Sequence, residues 1–127
     1  EPWCGDAAQN LPPIARMTAA NPDITLRLLL RDEHLDIMDA YLTGTSRSIP
    51  KLIALETATL RELGTWGPRP AAVQELVVAY KKDPKGVPQP QFYEQIHAWY
   101  AHDRHQHLQQ EFLERLEEWK KNSGSQQ

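Results

Sequence analysis

Proline and glycine divide this 127-residue chain into short segments, and this spacing limits the length of each helix and strand. Ten prolines and six glycines are present, and most of them stand between short apolar runs. Proline removes a backbone donor and glycine permits tight turns, so we expect elements to end at these residues. The segments between the breaks alternate between helical and strand-like spacing. This order predicts an α/β domain with helices on both faces of a sheet, followed by an additional helix.

Five segments supply the elements of this domain. The prediction is a helix over 6–20, a strand over 24–30, a helix over 32–42, a β-hairpin of strands over 51–56 and 59–66, and a helix over 70–82. Pro12 and Pro13 stand inside the first helix, where we expect a bend or a late start. Asp32 is predicted to be the N-cap of the second helix, and Pro70 to stand in the first turn of the last.

The remaining third of the chain is predicted to be helical. A linker rich in proline covers 83–90, a long amphipathic helix covers 91–122, and a disordered tail covers 123–127. The stretch 102–110 has few apolar anchors, so we expect a joint between two halves of the helix there. The second half of this helix is expected to extend past the domain, where its apolar stripe must pack against another copy of the chain or a partner. We therefore predict a homodimer. The interface residues would be Phe112, Leu116 and Trp119.

Composition excludes several classes of protein. A net charge of −3 argues against a nucleic-acid binder that uses a basic surface. No apolar run approaches the ~20 residues of a membrane span. One cysteine excludes an internal disulfide framework and a zinc site with several cysteines. It also favours a reducing, cytoplasmic setting.

Three short motifs carry a resemblance to a known family. The sequence WCGD at 3–6 opens the first helix, RDE at 31–33 follows the predicted strand, and SIP at 48–50 directly precedes the hairpin. Together they resemble the thioredoxin superfamily over residues 1–82, and most closely its bacterial thioredoxin-like proteins with a W-C-G-D motif. The resemblance implies a thioredoxin-like fold, in which Pro50 is the cis-proline that faces the active-site cysteine, Cys4.

The chain departs from the family pattern in two ways. Ala7 occupies the position of the second, resolving cysteine. The strand that precedes the cysteine helix in this family is also missing, since the chain starts three residues before Cys4. Because that strand is central in the family's sheet, its loss would expose backbone on its neighbours. We therefore expect an upstream segment of a longer chain to supply it, the alternative being another element or chain.

The position of Cys4 at a helix start predicts a nucleophilic thiol. Unpaired N–H groups and the helix dipole stabilise the thiolate there, whereas the nearby carboxylate of Asp6 opposes it. A single thiolate forms a mixed disulfide with its substrate, and an external thiol must release it. The predicted function is thus monothiol thiol–disulfide exchange with a protein disulfide or a low-molecular-weight thiol. The alternatives are a buried, inert cysteine or a thioredoxin-fold module that binds partners without turnover.

Several other side chains are candidates for binding the substrate. Arg47 lies in the loop that ends in Ile49 and Pro50, and Arg69 lies in the loop after the last strand. Either guanidinium could hold a thiolate or a carboxylate, or could be a solvated surface charge. Trp3 and Trp66 are candidate walls of the cleft, although Trp66 fits core packing equally well.

The histidines of the C-terminal helix do not predict a metal site. Four of them cluster there, namely His97, His102, His105 and His107. An exposed polar face produces such pairs by chance, and no cysteine or carboxylate elsewhere completes a ligand set. No glycine-rich phosphate loop and no serine nucleophile motif is present. We therefore predict no metal and no cofactor.

Overall fold

A computed structural model describes residue 1 and residues 3–124 of the chain. Its helices and strands are α1 Gly5–Ala19, a 3-10 turn Arg31–Glu33, α2 Leu35–Asp39, β1 Leu52–Leu55, β2 Glu62–Trp66, α3 Ala71–Lys82, α4 Gln89–Asp103 and α5 Gln106–Gly124. They fall into two compact units, and the second unit begins at Arg69. Within the described residues, no helix is both long enough and apolar enough to cross a membrane.

Helix α1 is one uninterrupted helix. It begins at Gly5, so the late start expected from its prolines does not occur. Pro12 and Pro13 both lie inside the helix, where each lacks the N–H that would continue the hydrogen-bond ladder. The helix is held by its buried face, whose members recur at steps of three and four. These are Ala7, Asn10, Ile14 and Thr18.

The predicted strand over 24–30 is wrong. The segment forms no β-ladder, and Leu28, Leu29 and Leu30 are 65%, 59% and 43% exposed. A strand requires a neighbour for its backbone N–H and C=O groups. Among the described residues the sheet has two strands, β1 and β2, and they pair with each other. The apolar run therefore stays outside the sheet.

The predicted hairpin is confirmed, with a longer connection than expected. Strands β1 and β2 are antiparallel, and Leu52 stands opposite Trp66. The register shifts by one residue after Ala54, which is a β-bulge. Residues 56–61 form the connection, closed by a 2.8 Å hydrogen bond from the Glu56 N–H to the Arg61 carbonyl.

The predicted helix over 32–42 is much shorter than expected. Its first residues form the 3-10 turn Arg31–Glu33, and His34 leaves helical geometry with φ −137° and ψ 51° before α2 begins. Asp32 is therefore not the N-cap of α2. Its carboxylate accepts a 3.0 Å hydrogen bond from Nε of Arg31 instead.

The second unit is helical, and α3 and α4 share one apolar cluster. As predicted, α3 ends at Lys82. Pro70, which was predicted to stand in its first turn, is its N-cap residue instead. The buried members of the cluster are Val73, Phe92, Ile96 and Tyr100. Tyr80 stacks on Phe92 with ring centroids 3.9 Å apart, and its hydroxyl donates to the Val87 carbonyl at 2.8 Å.

The single long C-terminal helix predicted over 91–122 is wrong, because the chain turns between α4 and α5. Arg104 and His105 adopt the left-handed conformation, with φ of 52° and 63°. The Asp103 carboxylate accepts a 3.1 Å hydrogen bond from the His107 N–H and also contacts the His107 ring. A side-chain acceptor at this place satisfies a donor in the first turn of α5. The turn lies within the joint expected over 102–110.

The predicted dimer interface residues differ in exposure. Phe112 and Trp119 are 2% and 6% exposed within one chain, and their rings pack edge to face. Because these two side chains are buried within one chain, they are not available to contact a second copy, and their assignment to a dimer interface is wrong. Leu116 is half-buried. The first residues of the predicted tail, Ser123 and Gly124, belong to α5, and 125–127 lie outside the described residues.

Candidate active site around Cys4

The thiol of Cys4 lies where α1 begins and where a distant loop approaches it. Cys4 is the N-cap residue, with extended backbone (φ −86°, ψ 118°), and its carbonyl accepts the first helical hydrogen bond from the Ala8 N–H at 3.0 Å. The half-buried thiol is free and donates to the Ile49 carbonyl over 3.5 Å. Two segments 45 residues apart in sequence therefore meet at the sulfur.

The loop that meets Cys4 is held by its own backbone. Thr43 and Ser46 exchange two backbone hydrogen bonds of 2.9 and 3.0 Å, which close a tight turn before the SIP motif. The Ile49–Pro50 peptide bond is cis, and Pro50 is buried. Strand β1 begins two residues later. The hairpin therefore anchors the loop on its C-terminal side.

Gly67 allows the end of β2 to approach the Pro50 loop. A Cβ at position 67 would stand 2.4 Å from the Pro50 oxygen, and the glycine has φ +111°. Both the space and the conformation require glycine. Nζ of Lys51 donates to the Gly67 carbonyl at 3.4 Å, which joins the two loops a second time. Burial lowers the pKa of the Lys51 ammonium group.

Arg31 contacts Trp3, which precedes Cys4, and the backbone of Arg47, which precedes the SIP motif. Sequence analysis did not predict it as a site residue. Its guanidinium carbon lies 4.9 Å from the centroid of the Trp3 ring. Nη1 donates to the Arg47 carbonyl at 3.2 Å, and Nε donates to Asp32. Its place within the RDE motif was visible in the sequence. No local pattern indicated that its side chain reaches across to two other segments.

The side chain of Arg47 is paired with a carboxylate. Nε and Nη2 donate to the two Asp39 oxygens at 2.7 and 3.0 Å, a bidentate geometry. The hydrogen bond from Arg47 and its charge hold the pKa of the Asp39 carboxyl below its usual value, against a smaller opposing effect of desolvation. The same hydrogen bond raises the pKa of Arg47. This pair fixes the loop to the end of α2.

The remaining predicted site residues have different surroundings. Trp3 is 62% exposed beside Cys4, whereas Trp66 is 3% exposed, which is the core packing considered for it. Arg69 belongs to the second unit, where its guanidinium donates to Oε1 of Gln74. The structure therefore brings Cys4 to the loop that contains Ile49 and Pro50. Trp3 directly precedes Cys4 in the sequence.

The described part of the chain has no group of three or more histidine, cysteine, aspartate or glutamate side chains that could hold a metal ion. His107 contacts Asp103 and lies against the Trp99 ring, with centroids 5.3 Å apart. Its role visible here is to complete the turn between α4 and α5.

Comparison with known proteins addresses the first two thirds of the chain. A family model described as thioredoxin matches residues 1–84. The chain belongs to the thioredoxin family. The resemblance to the thioredoxin superfamily is thereby confirmed, as is a thioredoxin-like fold with a C-terminal helical extension. No curated protein and no solved structure matched the chain.

Membership of the thioredoxin family gives the Cys4 geometry its context. The matched region contains Cys4, the Pro50 loop and the hairpin, and it ends shortly after α3. Helices α4 and α5 follow it, so they are the extension. All the residues that meet at the sulfur therefore lie in the thioredoxin part of the chain.

Proposed function

We propose that this protein is a single-cysteine thiol–disulfide oxidoreductase that acts through Cys4. The observation that carries the proposal is the position of Sγ, at the N-cap of α1 and 3.5 Å from the Ile49 carbonyl of the cis-proline loop. Membership of the thioredoxin family supports it.

The chemistry takes place in two exchange steps. The Cys4 thiolate attacks one sulfur of a substrate disulfide, forms a Cys4–substrate disulfide and expels the other sulfur as a thiolate, which takes up a proton. An external low-molecular-weight thiol, as its thiolate, then attacks the substrate sulfur of this mixed disulfide and releases the Cys4 thiolate. The original disulfide thus becomes one free thiol and one new disulfide with the external thiol. A reducing cytoplasm would supply that thiol.

The local charges around Cys4 act in opposite directions. The dipole at the start of α1 favours the thiolate, and the Ile49 carbonyl gives the protonated thiol an acceptor. Asp6, in the first turn, disfavours a second negative charge. The proposed substrate contacts are Trp3, which directly precedes Cys4, and Ile49 and Pro50, whose loop lies beside the sulfur. For Arg47, Trp66 and Arg69 a substrate would have to compete with the contacts described above.

The proposal is tested by trapping the intermediate. The purified protein is mixed with 2-hydroxyethyl disulfide, and intact mass spectrometry should show one adduct, which glutathione then removes. The matched control is Cys4→Ser, which replaces the sulfur with oxygen and should give no adduct. Absence of an adduct on the folded wild type would refute the proposal.

The alternative function is a thioredoxin-fold module that binds partners without turnover. The single cysteine favours it, because Ala7 stands where a resolving thiol would be, and this side chain is 4% exposed. Such a module would form the adduct slowly or not at all, and its partner binding would survive Cys4→Ser. Comparison of adduct formation with binding therefore separates the two functions.

A further inference from the structure

We propose that Arg31 is the positioning residue of the Cys4 site, which rests on the function proposed above. Arg31 lies in neither the cysteine segment nor the cis-proline loop. Its guanidinium lies over the Trp3 ring and donates to the Arg47 carbonyl at 3.2 Å. Through these contacts it holds the two segments that meet at the sulfur in one arrangement.

The first connection runs to the cysteine segment. Trp3 directly precedes Cys4 and is 62% exposed, so core packing does not fix its ring. A guanidinium 4.9 Å from the ring centroid is within the range of a cation–π interaction. Glu1 adds a second tie to the same place, because its Oε1 accepts a 3.1 Å hydrogen bond from the Asp32 N–H. The 3-10 turn therefore holds the chain on the N-terminal side of Cys4 at two points.

The second connection runs to the cis-proline loop. The Arg47 carbonyl that accepts from Arg31 lies two residues before Ile49, whose own carbonyl faces the thiol. The side chain of Arg47 is held separately by Asp39. Backbone and side chain of this residue are thus fixed from different directions, and loss of Arg31 would release the backbone alone.

The guanidinium shape explains why a different side chain would not serve. Nε is used by Asp32, Nη1 by the Arg47 carbonyl, and the flat face by Trp3. A planar fork with five donors can make all three contacts at once, whereas a lysine ammonium is a single point charge. The Arg31 side chain itself is 22% exposed, whereas its hydrogen bonds to Asp32 and to the Arg47 carbonyl lie at the surface.

Positioning matters more for disulfide exchange than for simple alkylation. A disulfide must lie against the loop with its two sulfurs in line with Sγ, whereas iodoacetamide needs only an accessible thiolate. We therefore expect Arg31→Met, which keeps the aliphatic stem, to slow adduct formation with 2-hydroxyethyl disulfide about tenfold. Its alkylation by iodoacetamide should stay within about twofold of wild type. Arg31→Lys should rescue only part of the exchange rate.

The matched control is Arg27→Met, since Arg27 is an exposed arginine four residues earlier in the same unit. It should leave both rates unchanged. Trp3→Leu breaks the same contact from the exposed side and should slow exchange to a similar degree. If the two residues act together, Arg31→Met adds little to Trp3→Leu, which is the outcome of a double-mutant cycle with coupled partners. If Arg31→Met does not fold, Arg31→Lys, which keeps the charge but not the planar fork, gives the same comparison of exchange with alkylation.

A spectroscopic measurement reports the positioning itself. The chain has four tryptophans, so protein labelled with 5-fluorotryptophan should give four ¹⁹F resonances, and Trp3→Phe identifies that of Trp3. Arg31→Met should shift the Trp3 resonance and leave that of the buried Trp66 in place. If the wild type forms the adduct and Arg31→Met forms it at the same rate, the proposed role of Arg31 is overturned and the proposed function stands. A wild type that forms no adduct would overturn the proposed function, and this role with it.

Discussion

Replacing Gly67 by alanine tests whether the close approach of two loops shapes the Cys4 site. A Cβ at this position would have to retreat from 2.4 Å to at least 3.0 Å from the Pro50 oxygen, and the atom in its way is backbone. The φ of +111° adds strain of about 1–3 kcal/mol for a residue with a side chain. Displacing a packed neighbour costs a further ~1–3 kcal/mol.

The expected result is a loss of about 3 kcal/mol in the free energy of unfolding, after roughly 0.4–1 kcal/mol is regained from the stiffer unfolded chain. With a urea m-value of about 1.5 kcal/mol/M, the midpoint falls by about 2 M. The measurement is a urea titration followed by tryptophan fluorescence, since Trp66 is buried next to the substitution.

Gly44→Ala is the matched control. Gly44 also has a positive φ, +62°, but a Cβ there meets nothing within 4 Å. It should cost only the left-handed conformation, about 1 kcal/mol. Gly67→Ala should also change the rate at which Cys4 is alkylated, because the loop it displaces faces the thiol. Equal stability losses for the two variants, with unchanged alkylation, would refute the reasoning.

The remaining predictions concern an ion pair and the association of two chains. Because Arg47 lowers the pKa of Asp39, the stability gained from the pair is present above the unfolded value of 3.8 and is lost as the pH falls through the folded value. Arg47→Met should move the Asp39 carboxyl titration, followed by NMR, to higher pH, and an unmoved titration would contradict the assignment. For the proposed homodimer, Phe112 and Trp119 are buried, so the 61% exposed Leu113 is the expected contact on α5. Sedimentation velocity should show Leu113→Asp as a monomer at concentrations where wild type associates, whereas a wild type that stays monomeric would rule the dimer out.

Sequence patterns predicted the elements whose stabilising contacts are local. The hairpin and α3 carry their own turn and cap residues, so their positions were predicted within a few residues. The segment 24–30 has strand-like composition, but forming a strand also requires a neighbour, and composition does not supply one. A joint was expected over 102–110, but the break of the helix at Arg104 was not, because two left-handed residues without glycine have no clear sequence signature.

The candidate site was predictable where a residue type dictates the chemistry. Cys4 and Pro50 belong to motifs, and the thiol does lie beside the loop that contains Ile49. The charged residues were harder to place, because a long side chain can reach several partners and the sequence does not show which one. Arg47 was predicted to bind substrate, but its side chain pairs with Asp39. Arg31 was not predicted as a site residue, yet it contacts Trp3 and the Arg47 carbonyl.

The two prolines inside α1 affect how this helix opens. Neither Pro12 nor Pro13 has an amide proton, so the hydrogen bonds that would join them to the carbonyls of the preceding turn are absent. The turn that follows Cys4 is therefore less tightly coupled to the later half of α1, where Ile14 and Thr18 are buried. Opening of the cysteine end then requires less free energy than unfolding of the whole helix, and its amides exchange with solvent by this smaller opening. The thiol therefore lies at the end of α1 that can open while the later half of the helix stays folded.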